Sequence, residues 1–279
     1  MMPRRTLGWW LLILPALLLL VGFYVAPIVK VLLISFTDPE PGLQNYERLF
    51  TSASVQRVIL TTLRICFITT VIALLLGYAL AYAITKARPK ARRWWLLAVL
   101  VPLWISVLVR AFAWVTLLRR QGLVNNTLIE IGIIQEPLQL VWNELGIIIG
   151  MVHYMVPFAV LPMLASMQEI DPRLLSAARG LGASRREVFL GVFLPLTKPG
   201  LIAAAVLVFI FSLGFYITPA ILGGGKTLMV AEWISLQILD LIRWGLGTMM
   251  AAVLVLTILA TLAIFSRLVD LKRVFGMGG

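Results

Sequence analysis

The chain has 279 residues, 61% of them hydrophobic, and a formal net charge of +12. That apolar share exceeds the roughly 45–50% of a soluble domain. Apolar runs of about 20 residues recur, each long enough to cross the roughly 30 Å of a bilayer's hydrocarbon core as a helix. Together these exclude a soluble globular fold. The runs are continuous, not short and alternating, which excludes a β-barrel and leaves an all-α integral membrane protein.

Six spans are predicted, near residues 9–35, 59–84, 94–118, 145–167, 199–222 and 246–266. Between them the basic residues alternate in density. One side collects Arg4 and Arg5; Lys86, Arg88, Lys90, Arg92 and Arg93; Arg173, Arg179, Arg185, Arg186 and Lys198; and Arg267, Lys272 and Arg273. These are fifteen of the 24 Lys and Arg residues, accompanied by four of the 12 acids, Glu169, Asp171, Glu187 and Asp270. An excess of Lys and Arg marks the cytoplasmic face, so both termini are expected inside. The basicity is a topology signal, and no nucleic-acid partner is expected. Trp9 and Trp10, and Trp94 and Trp95, open the first and third spans beside basic residues, at the headgroup level that indole prefers. The first span is read as an uncleaved helix, because its apolar run is too long for a signal peptide. Cys66, the lone cysteine, is read as a core thiol.

No loop is long enough to fold alone, so residues 1–279 are read as a single membrane domain. After the first span, Thr37-Asp38-Pro39-Glu40-Pro41-Gly42 signals a turn, and 45–50 reads as a short interfacial helix. Residues 86–93 form a compact basic turn. Residues 119–144 make a longer external excursion, with a short helix around 123–134.

The cytoplasmic loop at about 169–197 carries the clearest local signals. Asp171-Pro172 reads as an N-cap followed by proline at the first helical position, where its missing N–H costs nothing. That helix runs to about Gly180, with Gly180 and Gly182 available for a left-handed exit. Ser184-Arg185-Arg186-Glu187 is a capping box, starting a second short helix expected to stop before Pro195. The product is helix, sharp turn, helix. Ala177, Ala178, Gly182 and Ala183 leave the elbow slender enough for another protein to approach closely. By spacing alone it is equally a structured loop with a solvated charged face.

Ser176-Ala177-Ala178-Arg179-Gly180-Leu181-Gly182, followed by Val192-Phe193-Leu194-Pro195, resembles the EAA loop of ABC importer permeases, with Ser176 where that loop usually has Glu. Two further stretches are similar to signatures of the spermidine/putrescine group, first permease subunit type. They are Pro102-Leu103-Trp104-Ile105-Ser106-Val107-Leu108-Val109-Arg110-Ala111-Phe112-Ala113-Trp114, continued by Gly122-Leu123-Val124-Asn125, and Leu213-Gly214-Phe215-Tyr216-Ile217-Thr218-Pro219-Ala220-Ile221-Leu222-Gly223-Gly224. The resemblance implies a type I importer in a bacterial inner membrane. Its implied partners are a second permease subunit, a cytoplasmic ATPase dimer holding ATP and Mg, and an extracytoplasmic solute-binding protein, with no cofactor in this chain. It implies ATPase coupling through Ser176, Ala177, Ala178, Arg179, Leu181, Gly182, Ala183 and Ser184. A polyamine-like solute is favoured, with opine or other carboxylate-bearing solutes next. A self-contained channel or a non-ABC transporter is the alternative of another class.

The remaining motifs offer little chemistry. Gly223-Gly224-Gly225-Lys226-Thr227 imitates the end of a phosphate loop, but Ala220 stands where its first glycine belongs and no strand precedes it, so an external turn is expected. His153, the only histidine, has no local metal partner, and no triad or paired carboxylate is present, so no enzyme is read here. Charges inside spans face protein or water. Arg64 lies near enough to its external end to snorkel. Arg110 lies deeper and is a candidate for the solute pathway or for an ion pair between helices. Pro219 frees a backbone acceptor near Phe215 and permits a kink. Broken helices tend to line cavities, which makes Phe215, Tyr216 and Thr218 the other pathway candidates.

Overall fold

The computed structural model describes residues 4–268, with the side chains of 12–266. The side chains of Arg4, Arg5, Trp9, Trp10 and Arg267, and all of Asp270, Lys272 and Arg273, lie outside that range. Among the described residues every regular element is a helix. In order it forms α1 (Arg4–Leu20), a π turn (Val21–Val25), α2 (Ala26–Thr37), α3 (Gln44–Thr51), α4 (Ala53–Lys86), α5 (Pro89–Trp104), α6 (Val107–Leu118) and α7 (Leu123–Glu130). Then come α8 (Glu144–Gln168), α9 (Pro172–Gly180), α10 (Arg185–Val188), a second π turn (Phe189–Phe193), α11 (Leu194–Leu213) and α12 (Ile217–Gly223). The last elements are α13 (Val230–Ser235), a third π turn (Leu236–Asp240) and α14 (Trp244–Leu268).

Among the described residues, five helices are long and apolar enough to cross a bilayer: Leu12–Thr37, Ala53–Lys86, Glu144–Gln168, Arg185–Leu213 and Trp244–Ser266. The sixth crossing corrects the sequence expectation. In place of one straight span over 94–118, the chain makes a pair, Pro89–Trp104 and Val107–Glu130, bent by 100°. Ile105 is extended and Ser106 also leaves the helical region, which ends α5 at Trp104, two residues after Pro102. The fifth span is corrected at both ends. Its helix does not stop before Pro195. The π turn at Phe189–Phe193, closed by the Leu194 N–H donating to the Phe189 carbonyl, carries it through, widening the turn just before Pro195 so that the helix tolerates the missing N–H. The break near its outer end falls at Gly214–Tyr216, ahead of α12. Pro219 therefore sits in the first turn of α12 and does not kink a continuous helix.

The chain divides into two compact units, Met1–Gln56 with Trp233–Leu256, and Arg57–Glu232 with Thr257–Gly279. In the first, a polar clasp closes the turn after α2. The Asn45 amide, 3% exposed, donates to the carbonyls of Ser35 (3.0 Å) and Asp38 (2.7 Å), while the Gly245 N–H donates to Asp38 Oδ2 at 2.6 Å. Tyr46 stacks on Phe36 with ring centroids 4.7 Å apart.

The second unit is built around α8. Met155, Ala159, Val160 and Met163 have no exposed surface, and α4 and α11 pack against them. Within a membrane, helices associate by packing, so small residues at the contact let backbones approach. A Cβ on Gly77 of α4 would lie 2.7 Å from Ala159 Cβ, and one on Gly200 of α11 would lie 2.5 Å from Ser166 Cβ and 2.8 Å from the Pro162 carbonyl oxygen. Neither site has room for a side chain.

Candidate functional site

The cytoplasmic elbow between α8 and α11 is closed locally at every step. Asp171 caps α9, its carboxylate accepting the Arg173 N–H at 2.8 Å, with Pro172 at the first helical position. The exit from α9 uses three backbone bonds: Leu181 N–H to the Ala177 carbonyl (3.0 Å), Gly182 N–H to Arg179 (3.0 Å) and Ala183 N–H to Ala178 (3.2 Å). Gly182 has φ +90°, the backbone sign that disfavours any side chain. Gly180 stays within α9. Ser184 then starts α10 with both halves of the capping box formed. Its Oγ accepts the Glu187 N–H at 3.3 Å, and Glu187 Oε2 accepts the Ser184 N–H at 2.7 Å.

This geometry sorts the eight candidate docking residues by direction. Leu181 stands at the tip with 90% of its surface exposed. Ser176, Ala177, Arg179, Gly182 and Ser184 are not buried either. Ser176 Oγ bonds back to the Pro172 carbonyl at 3.2 Å. Ala178 and Ala183 turn the other way, onto the core cluster beside buried Leu175 and Val188. They hold the elbow down, while Leu181 projects outward. An exposed leucine between two glycines was the signal in the sequence for that tip.

The four pathway candidates separate as well. Arg110, 6% exposed on α6, donates from Nη2 to the Ile105 carbonyl at 3.1 Å and lies 4.6 Å over the ring of Tyr154. Its Nε and Nη1 have no hydrogen-bond partner among the described residues. It therefore has a ring for company and no carboxylate; the ion pair among the described residues joins Arg64 to Glu144 at the start of α8. Phe215 meets the same Tyr154 ring at 4.6 Å, and Tyr154 continues to Phe158 (5.6 Å) and Phe211 (Phe158–Phe211, 5.1 Å). Arg110 and Phe215 thus share one aromatic row, which α8 supplies from Tyr154 and Phe158, spaced i and i+4. Thr218 does not join them. It is 4% exposed and packs where a Cβ on Gly150 would come within 2.7 Å of its Cγ2. Tyr216 is 44% exposed.

Two other motifs resolve. His153 Nδ1 accepts the Trp114 indole N–H at 3.1 Å, a satisfied packing histidine. Gly224 and Gly225 have φ +57° and +71° immediately after α12, which makes 223–227 a helix-ending turn. Outside the spans, Glu232 on α13 is half-buried, and burial pushes its carboxyl up to about 7. Its Oε2 has no partner among the described residues.

The fold and the elbow define a polytopic helical membrane protein, and the comparisons give its class. Residues 73–273 match the family described as the binding-protein-dependent transport system inner membrane component. The chain belongs to that family: it is a multi-pass permease subunit of a binding-protein-dependent ABC importer in the bacterial inner membrane. It is 35% identical over 254 residues to the spermidine/putrescine transport system permease protein PotB of Haemophilus influenzae, covering 88% of each chain. It is 32% identical over 241 residues to PotB of Escherichia coli K12, covering 85% of this chain and 87% of that one. The fold matches a bacterial alginate ABC transporter solved with an alginate pentasaccharide-bound periplasmic protein, with TM-score 0.78 and 20% identity over 95% of this chain and 94% of that one.

Proposed function

We propose that this subunit forms one side of a pathway for a small, polyamine-like organic solute, opened and closed through the α9–α10 elbow by a separate ATPase that binds ATP and Mg. A second permease subunit completes the pathway, and an extracytoplasmic solute-binding protein delivers the solute. The observation that carries the coupling reading is the elbow itself. Both of its helix starts are capped from within, and Leu181 at its tip is 90% exposed, with Leu174 and Leu190 also exposed nearby in the chain, an apolar surface for a partner's socket to cover. The names of the PotB relatives support the polyamine class, and the alginate transporter's periplasmic partner supports delivery by a binding protein. The test is co-purification of the tagged chain from its native membrane in mild detergent, with uptake of labelled spermidine by whole cells. An ATPase, a second permease chain and competed spermidine uptake are expected. Recovery of the chain alone, conducting without ATP, would instead make it a channel.

One observation favours a second solute class. Arg110 is a buried cation with two open donors and no carboxylate beside it, and a bidentate carboxylate is the ligand such a fork fits. Opine-like solutes carry one. Uptake competed by a carboxylate-bearing amine and not by spermidine would select this reading.

A further inference from the structure

Behind the elbow, on the side facing α4, lies a cavity of about 220 Å³ that shares only Arg179 with the candidate coupling residues. It is lined by Tyr82 and Lys86 at the end of α4, by Leu175 and Arg179 of α9, by Arg185 of α10, and by the apolar side chains Val188, Phe189 and Phe193. Three of these are cations and none is an acid. The nearby carboxylates Asp171 and Glu187 cap helix starts through the Arg173 and Ser184 N–H groups and pair with none of the three cations. Among the described residues, Lys86, Arg179 and Arg185 form no ion pair. Like charges gathered around a hollow repel one another unless an anion sits between them.

The floor is rigid and aromatic. Tyr82 meets Phe189 and Phe193 edge-on at 5.5 and 5.3 Å, and Phe189 and Phe193 stack at 5.7 Å. The Lys86 ammonium is held over the Tyr82 and Phe193 rings, 5.6 and 5.7 Å from their centroids, close enough for cation–π attraction. Its depth matters too. Lys86 ends the Ala53–Lys86 span and Arg185 begins the Arg185–Leu213 span, both on the basic, cytoplasmic side, so the cavity opens where that leaflet carries its phosphates. Basic pockets between helices on that face are suited to anionic head groups, and Arg recognises phosphate oxygens through its planar fork.

We infer that this cavity binds a phosphate-bearing anion, either the phosphodiester of an anionic lipid or free phosphate, clamped by Lys86, Arg179 and Arg185. Bound there, it ties α4 to both arms of the elbow and braces the angle at which the tip is presented. That last consequence rests on the coupling reading above; the binding itself does not.

The test uses the purified importer complex in nanodiscs of phosphatidylcholine, with or without phosphatidylglycerol, released gently for native mass spectrometry. The wild type should retain phosphatidylglycerol. Lys86→Gln with Arg185→Gln should weaken retention roughly thirtyfold, at about fivefold per cation removed near an anionic surface. Lys86→Arg should retain it, as should Arg93→Gln, a basic position outside the cavity. In the second arm, inorganic phosphate is titrated into phosphatidylcholine-only discs and followed by phosphorus NMR. Binding there, lost in the double variant, assigns the free ion as the source. If neither phosphatidylglycerol nor phosphate distinguishes wild type from the double variant, the site does not exist. Disulfide trapping of the Lys86→Cys or Arg185→Cys variant onto the ATPase, with phosphatidylglycerol retention unchanged, would likewise overturn it in favour of a protein contact. An absent ATPase would refute the coupling reading and leave the lipid result standing.

Discussion

The elbow around Leu181 and the aromatic row around Arg110 handle polarity in opposite ways. At the elbow both helix starts are capped and the turn is closed by bonds within a few residues, and what stands at the tip is an apolar side chain. At Arg110 the surroundings are apolar and aromatic, and what is left open is polar: two guanidinium nitrogens, buried and unpartnered among the described residues. One region closes its turns locally and lacks an apolar cover. The other has completed its packing and lacks an anion. Complementary surfaces for the two regions therefore differ in kind, an apolar socket for the first and a carboxylate or water for the second.

The largest expected effect tests the elbow's side of that contrast. Gly182→Asp places a charged side chain at φ +90°, where nothing lies within 4 Å of the new Cβ. The strain is in the backbone, about 1–2 kcal/mol, and the new charge stands beside the tip. Uptake should be abolished while the amount of chain in the membrane is unchanged; normal uptake by this variant would end the coupling claim. Next comes Gly200→Ala, whose Cβ would meet Ser166 and the Pro162 carbonyl. Overpacking of this kind costs about 1–3 kcal/mol, so thermal stability in detergent should fall, and an unchanged melting profile would show that α8 and α11 can part without loss.

Arg110→Met sharpens the other side. Removing a buried, uncompensated charge while keeping its volume is neutral or stabilising. The melting temperature should hold or rise while uptake falls roughly tenfold or more, a loss of about 1.4 kcal/mol or more at the transport barrier. Unimpaired uptake would make Arg110 a packing residue. Ser184→Ala removes a cap worth about 1 kcal/mol and should loosen α10, read as faster proteolysis of the elbow with uptake only modestly reduced.

A pH-dependent effect on stability, and none expected on uptake, concerns Glu232. Its carboxyl titrates near 7 in the folded chain, above its usual 4.5. A raised carboxyl favours the protonated form, so its contribution to stability is full below about pH 4.5 and is lost as pH rises through 7. Glu232→Gln should flatten that slope in a melting series. A slope that survives the substitution would assign it to another group.

What could be read from the sequence divides along the same line. Asp171-Pro172, Gly182 and Ser184-to-Glu187 specify the elbow through contacts spanning five residues or fewer, so composition and spacing were enough. Arg110, His153 and Phe215 could be singled out as polar or aromatic in an apolar run, but Tyr154 and Trp114 become their partners only when α8 packs against α6 and α12. Thr218 was singled out as a pathway candidate, but its packing was illegible for the same reason, since its contact is Gly150, far along the chain. The bend at Ile105–Ser106 left no trace because the residues on both sides are uniformly apolar. A proline three residues upstream does not announce which peptide will turn. Pro195 misled in the opposite sense: a proline forbids only its own N–H, and a widened turn just before it let the helix continue.

That widened turn has a consequence for rotational phase. A π turn is a helix with one residue more than the regular winding needs, so the chain before it and the chain after it are offset in azimuth. Ala183 and Val188 point inward on one side of Phe189–Phe193, and Thr197 and Gly200 do so on the other, each set obeying its own phase. At 3.6 residues per turn, one residue corresponds to about 100° of rotation. Deleting a single residue between 189 and 193 would leave both stretches helical and equally apolar, yet swing the tip roughly a quarter turn about the axis of its own span. The extra residue is what lets the direction of the tip and the seating of the span be set independently in one unbroken helix.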